Sequence, residues 1–251
     1  MPTISLVTGG SRGLGRSSAI SIARHGGDVI LTYRSGADDA KAVVAEIEAL
    51  GRKAVALQLD TGDVSTFPAF VEGVRAALAT TWARDSIDHL VNNAGHGEMA
   101  DFANTTEAQF DALFNVHVKG VFFLTQALLP VLADGGRIVN FSSGLTRVSF
   151  PGFSAYSAAK GAVETLTVYM AKELGSRGIT ANIVAPGAIE TDFQGGAVRD
   201  TPDYNQAFAG MTALGRVGVP DDIGPMIASL LGPENRWVTA QRIEVSGGQS
   251  I

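Results

Sequence analysis

From one end to the other the chain alternates between short runs of apolar, mostly β-branched residues and longer stretches of helical periodicity. The short runs are ISLVT (4–8), DVILTY (28–33), AVALQL (54–59), HLVNN (89–93), RIVNF (137–141), ANIVA (181–185) and RIEV (242–245). They are nearly continuous in apolar residues, as strands covered on both faces are. Helical patterns fill the gaps at 14–25, 37–50, 66–80, 106–132, 154–176 and 221–231. This succession predicts a doubly wound, Rossmann-type α/β fold with a parallel sheet and helices on both faces. Without a linker or a break in composition, residues 1–251 read as a single domain. Only 188–213 resists the pattern, and a connection of that length in a compact domain reads as a substrate lid or a poorly ordered loop.

Ligands of open parallel sheets sit beyond the carboxyl ends of the strands. The first such position carries TGGSRGLG, residues 8–15, with Gly9, Gly13 and Gly15 spaced G-x3-G-x-G. Glycines there permit a tight turn and let the backbone approach a pyrophosphate resting on the next helix N-terminus. The second strand ends LTYRSG, with Arg34 and no acid. An acid at that point would hold a free ribose 2′-hydroxyl and repel a 2′-phosphate, which needs arginine instead. With Arg12 inside the glycine loop on the other side, the expected cofactor is NADP(H).

Tyr156 and Lys160 are four apart and therefore neighbours on one helix face, among the small residues of YSAAKGA. An ammonium beside a phenol is expected to lower the phenol pKa from about 10 toward a range useful for proton transfer. Ser143 ends the strand RIVNFSS and can polarise the same carbonyl oxygen, and Asn115 lies on the long helix before that strand.

As a set, TGGSRGLG, NNAG (92–95), Asn115, Ser143, YSAAK and APGAIETDF (185–193) resemble the short-chain dehydrogenase/reductase family, in order and in spacing. The resemblance runs from residue 4 to 251 and implies seven parallel strands and an Asn115–Ser143–Tyr156–Lys160 tetrad. In the reductive direction Tyr156 would give a proton to the carbonyl oxygen that Ser143 holds. Lys160 would bond the nicotinamide ribose, and Asn115 would position a water relaying protons to it. The same resemblance implies a cofactor surface of Gly9, Ser11, Arg12, Gly13, Leu14, Gly15, Tyr33, Arg34, Ser35, Asp60, Thr61, Asn92, Ala94, Gly95, Pro186, Gly187, Ile189 and Thr191, with Tyr156 and Lys160. It further implies a homo-oligomer, a tetramer, in which the helices at 106–132 and 154–176 pair across subunits. Two positions depart from the family pattern: Thr61, where an aliphatic residue is usual, and Ala240, where glycine is common.

The substrate-side candidates are His96, Leu145, Phe150, Phe153, Phe193 and Phe208, besides Ser143. An apolar-walled pocket suits a neutral ketone, aldehyde or secondary alcohol. A 3-oxoacyl group on an acyl carrier protein is the alternative, with Arg177 matching one basic docking position while VLADGG (131–136) lacks the others. A non-enzymatic NADPH-sensing protein could keep the glycine loop, but would not need all of the tetrad. The net charge is −6 and the 19 basic residues are scattered, which argues against nucleic acid or an anionic membrane as partner. With no cysteine, no metal-ligand spacing among His25, His89, His96 and His117, no signal segment and no window expected to span a membrane, the expectation is a cytoplasmic protein without metal.

Overall fold

The computed structural model describes residues 2–251. Seven strands, β1 (Ile4–Val7), β2 (Asp28–Tyr33), β3 (Ala54–Gln58), β4 (Ile87–Asn92), β5 (Leu132–Phe141), β6 (Thr180–Pro186) and β7 (Arg242–Val245), form one sheet. Every pairing in it is parallel, and the order is β3-β2-β1-β4-β5-β6-β7. The winding reverses between β1 and β4, so a crevice opens beyond their carboxyl ends, the usual ligand position of such sheets.

The helices are α1 (Gly13–Arg24), α2 (Ala37–Ala49), α3 (Phe67–Ala77), α4 (Glu107–Phe114), α5 (Val121–Leu128), α6 (Ser154–Leu174), α7 (Ala197–Asp200), α8 (Pro202–Gly210) and α9 (Pro220–Leu231). Successive strand residues point to opposite faces, and the sequence places apolar residues at both. Ile30 joins a core with Phe67, Leu78, Leu124 and Ile138 under α3, α5 and α6. Its neighbours Val29 and Leu31 join the opposite core, with Ile20, Ile47 and Ile223 under α1, α2 and α9.

Three segments differ from expectation. The helix expected over 106–132 is interrupted by a π-helical turn, Asn115–Gly120, between α4 and α5. At its end a Cβ on Gly120 would stand 2.1 Å from the Thr61 carbonyl oxygen, so this close backbone approach requires glycine. Strand β5 begins at Leu132 rather than 137, before Gly135 in a left-handed conformation (φ 74). The segment 188–213 contains α7 and α8 rather than remaining irregular. Contrary to the sequence expectation, Glu107–Val131 is long and apolar enough to span a membrane, with a mean hydropathy of 1.4. Its leucines Leu113, Leu124 and Leu128 are instead buried inside the protein.

Candidate active site

The glycine loop lies between β1 and α1. Gly9 (φ 63) and Gly13 (φ 54) adopt left-handed conformations, and a Cβ on Gly15 would stand 2.2 Å from the Gly9 carbonyl oxygen. Neighbouring strands fix the loop: the Gly9 N–H donates to Thr32 Oγ1 (3.1 Å) and the Gly10 N–H to the Thr32 carbonyl (2.8 Å). Asn93 Nδ2 donates to the carbonyls of Thr8 (2.8 Å) and Gly9 (3.2 Å). No side chain caps α1 and no acid lies in its first turn, so its free N–H groups and positive dipole end face the loop. Arg12 and Arg34 are exposed and form no salt bridge among the described residues, whereas Arg16 and Arg52 are paired with Glu46 and Asp28. A glycine cradle, an uncapped helix end and two uncommitted guanidinium groups fit a dinucleotide that carries a 2′-phosphate.

The other cofactor candidates divide by position. Thr191 closes over the loop, with its side chain 3.7 Å from where a Gly13 Cβ would be. Asp60 is exposed beyond β3 and accepts from the Gly62 N–H (2.9 Å), and the Ala94 N–H donates to Thr8 Oγ1 (2.9 Å). Ser11 is half-buried and Ser35 exposed at the same end of the sheet. Pro186 ends β6, and Gly187 leaves no room for a Cβ beside Gln249 Oε1 (2.6 Å). Leu14, Tyr33 and Ile189 pack against the core, which leaves their backbones to line the crevice. Asn92 requires correction: its side chain is buried and donates to Thr125 Oγ1 (3.0 Å) and Asn140 Oδ1 (2.8 Å). Strand alternation turns Asn92 away from the crevice and presents Asn93 to the glycine loop.

Strand β5 delivers Ser143 just beyond its end, and α6 delivers Tyr156 and Lys160, both buried. The Ser143 side chain stands beside Tyr156 and favours its ionised form. Lys160 Nζ donates to the Phe141 carbonyl (2.9 Å) and lies over the Tyr156 ring, 5.7 Å from its centroid. The expected lowering of the phenol pKa is not found in the protein without cofactor. Burial raises the Tyr156 pKa above its usual value, and Ser143 opposes this only in part. Burial also lowers the Lys160 pKa, to about 7. The ammonium lies over the Tyr156 ring and is itself close to losing its charge near neutrality. Tyr156 therefore stays protonated, as a proton donor must.

Asn115 also requires correction. It is half-buried on the outer side of the helix, in a groove with Phe114, Val118, Lys119, Phe122 and Phe123. Residues two apart do not share a helix face, and the residue facing the reactive pair is His117. It is 2% exposed, and its ring packs edge-on against Tyr156 with centroids 5.3 Å apart. His117 Nε2 is 2.7 Å from the His96 carbonyl oxygen, to which it donates. A Cβ on Gly95 would stand 2.4 Å from His117 Cε1. The signal for His117 was available in its position two residues from an expected site residue, but the register of a π turn cannot be read from an α-helical period.

Ser143 is held from behind by residues the sequence did not single out. Glu164 Oε1 accepts from Ser142 Oγ (2.6 Å), Thr146 Oγ1 (2.8 Å) and Arg242 Nε (2.8 Å), and Arg242 also donates to the Ser143 carbonyl (3.2 Å). A possible signal was Arg242 and Glu244 in an otherwise apolar last strand.

Aromatic residues wall the substrate side. Phe193 stands 5.6 Å from the Tyr156 ring and covers Gly97, where a Cβ would be 2.3 Å from its Cζ. Phe150 packs edge-on against Phe208 of α8 (5.8 Å), which is 6.4 Å from Tyr204. The half-buried His96 lies on the same side, its pKa lowered by burial. Leu145 and Phe153 belong to the chain between Ser143 and Tyr156: the Leu145 N–H donates to Ser143 Oγ (3.2 Å), and the Phe153 carbonyl accepts from the Ser157 N–H (2.8 Å). Arg177 is not a free docking cation, because it bonds Asp134 (2.7 Å) and the carbonyls of Leu129 (3.0 Å) and Leu132 (2.5 Å).

Residues 9–250 match a family described as enoyl-(acyl carrier protein) reductase. The chain is 36% identical, over 98% of its length and 93% of the relative's, to an NADPH-dependent aldehyde reductase-like chloroplastic protein of Arabidopsis thaliana. The promiscuous reductase LugOII, which catalyses keto-reduction at C1 during lugdunomycin biosynthesis, superposes with a TM-score of 0.94 at 37% identity, covering 99% of this chain and 98% of that one. The angucycline C-6 ketoreductase LanV with bound NADP does so with a TM-score of 0.94 at 36% identity, covering 99% and 95%.

Proposed function

Because the chain belongs to the short-chain dehydrogenase/reductase family and is an NADP-dependent oxidoreductase, we propose that it reduces a neutral ketone or aldehyde to the alcohol, with Tyr156 as the proton donor. The observation that carries this reading is the convergence of Ser143, Tyr156 and Lys160 beside the glycine loop, at the carboxyl end of the sheet. NADPH bound along that loop supplies the hydride. Ser143 orients the carbonyl oxygen, and the Tyr156 hydroxyl gives it a proton as negative charge develops there. Lys160, close to its titration midpoint, can return a proton to the phenolate. Phe193 shields the Tyr156 ring from water, and with Phe150, Phe208 and Tyr204 it suits a substrate with a flat apolar body. A carrier-borne acyl substrate has less support, since Arg177 is committed to Asp134 and backbone carbonyls.

We also infer a homo-oligomer. Phe110, Phe122 and Phe123 are each more than 40% exposed on α4 and α5. Grooves of about 400 and about 360 Å3 run beside them, one reaching Ser154 and Ala158 of α6. Such an apolar face is unusual on a lone subunit.

The test is NADPH oxidation with a panel of aromatic and aliphatic ketones and aldehydes, followed by Tyr156→Phe. The variant is expected to lose at least about a hundredfold in kcat while binding NADPH as the wild type does. An inert wild type that still binds NADPH, or an active Tyr156→Phe, would overturn the reading.

A further inference from the structure

The hydrogen-bond inventory around Tyr156 has one unmatched acceptor. His117 Nε2 donates to the His96 carbonyl, so Nδ1 of the same neutral ring is a bare acceptor. That nitrogen is buried and has no partner among the described residues. Buried polar atoms are rarely left unpaired, because an unmet acceptor in a low-dielectric site is costly. The ring cannot turn away: Gly95 packs on its Cε1 edge and the Tyr156 ring on its side.

A surplus of donors against the same tyrosine ring belongs to Lys160. An ammonium has three N–H groups, and the hydrogen bond recorded for this one goes to the Phe141 carbonyl. His117 and the Lys160 nitrogen both lie against the Tyr156 ring, 5.3 and 5.7 Å from its centroid. The lysine's charge also reaches the imidazole, and together with burial it keeps the ring neutral. The groups facing His117 are Tyr156 and Lys160 from α6 and His96 from the β4–α4 connection. Arg34, Glu98 and Asp60 act on His96.

We propose that His117 is a positioning residue of this centre, whose Nδ1 accepts a hydrogen bond from the Lys160 ammonium, directly or through one water, and so holds that charge beside the phenol. The proposal rests on the reading of Tyr156 and Lys160 as the proton-donating pair. It requires a histidine or an amide at 117, a side chain that offers a donor to the His96 carbonyl and an acceptor inward.

Two measurements decide it. In the first, the pH dependence of kcat for ketone reduction is compared among wild type, His117→Phe and His117→Asn. His117→Phe keeps a flat ring but neither nitrogen. It is expected to move the alkaline midpoint down by about one pH unit, the scale of one hydrogen bond to a charged group. KM and NADPH affinity should stay within about twofold, and His117→Asn should restore the midpoint. An unmoved midpoint in a folded His117→Phe, or equal shifts in both variants, overturns the proposal. The second needs no turnover: 15N-histidine NMR of the NADPH-loaded wild type, with His117 assigned by its loss in His117→Asn. The expected form is the neutral Nε2–H tautomer, with an Nδ1 resonance that shifts in Lys160→Met. A protonated Nδ1, or a resonance indifferent to Lys160→Met, overturns the link even if His117→Phe does not fold. An enzyme that reduces no ketone but shows the coupled tautomer would instead refute the proposed function and leave the link standing.

Discussion

Replacing Lys160 by methionine should destroy catalysis and stabilise the protein, and the second effect can be worked from the structure. Burial lowers the lysine pKa from 10.5 to about 7. A difference of that size corresponds to on the order of 5 kcal/mol spent keeping the ammonium out of water. Below about pH 7 the lysine is charged in both folded and unfolded chains, and the full penalty is present. Between about 7 and 10.5 only the unfolded chain keeps the proton, so this group makes stability rise with pH, and above that window the penalty is gone. Methionine removes the charge at similar length but leaves the Phe141 carbonyl without its 2.9 Å donor, a loss of about 1–3 kcal/mol. Without cofactor, Lys160→Met should therefore be more stable than wild type by roughly 2–4 kcal/mol at about pH 6. Near pH 10 it should be equal or less stable. Equilibrium urea unfolding at a fixed protein concentration measures the difference, and titrating groups remote from Lys160 cancel between the two proteins. A variant less stable than wild type at about pH 6, or a gap that does not narrow as pH rises, would refute the argument that desolvation dominates at this lysine.

Ala240 adopts a left-handed conformation (φ 58), which strains an alanine by roughly 1–2 kcal/mol; Ala240→Gly should raise Tm by about 2–8 °C, read by thermal unfolding. Arg34→Ala should weaken NADPH binding about tenfold to a hundredfold, as expected for one charged hydrogen bond, and leave NADH binding unchanged in a fluorescence titration. Equal losses for both cofactors would contradict the assignment of Arg34 to the 2′-phosphate. Placing charges on the outer helix face with Phe122→Glu and Phe123→Lys should reduce the assembly to smaller species in analytical ultracentrifugation.

The fold was legible because the strand runs are apolar on both faces. ISLVT and DVILTY mark β1 and β2 to within a residue, and their alternating residues supply the two cores. The glycine loop, Ser143, Tyr156 and Lys160 were legible because each depends on local spacing. What sequence reasoning missed depends on phase or distance. His117 was hidden by a π turn that changes which residues face inward, and Asn92 and Asn93 differ only by strand parity. The start of β5 was masked by Gly135 and Gly136, which carry no strand signal. Arg242 and Glu164 reach Ser143 across the fold, a relation no local pattern encodes. The direction of the Tyr156 pKa was missed because adjacency to a lysine says nothing about how thoroughly both groups are dried.

The widened turn at Asn115–Gly120 has a consequence for how the chain tolerates insertions and deletions. It fixes the angular offset between Phe110 and Phe114, stacked 4.2 Å apart, and the Phe122–Phe123 pair one segment later. Excising a single residue such as Val116 would restore ordinary α-helical winding with the two halves of the rod facing nearly as before, since a π turn absorbs one extra residue. Excising one from α4 or α5 would instead swing one half about 100° against the other. Either the imidazole would leave the phenol or the phenylalanines would no longer form one face. Length changes in α4 or α5 therefore bear on chemistry and assembly together, even where every remaining side chain is kept.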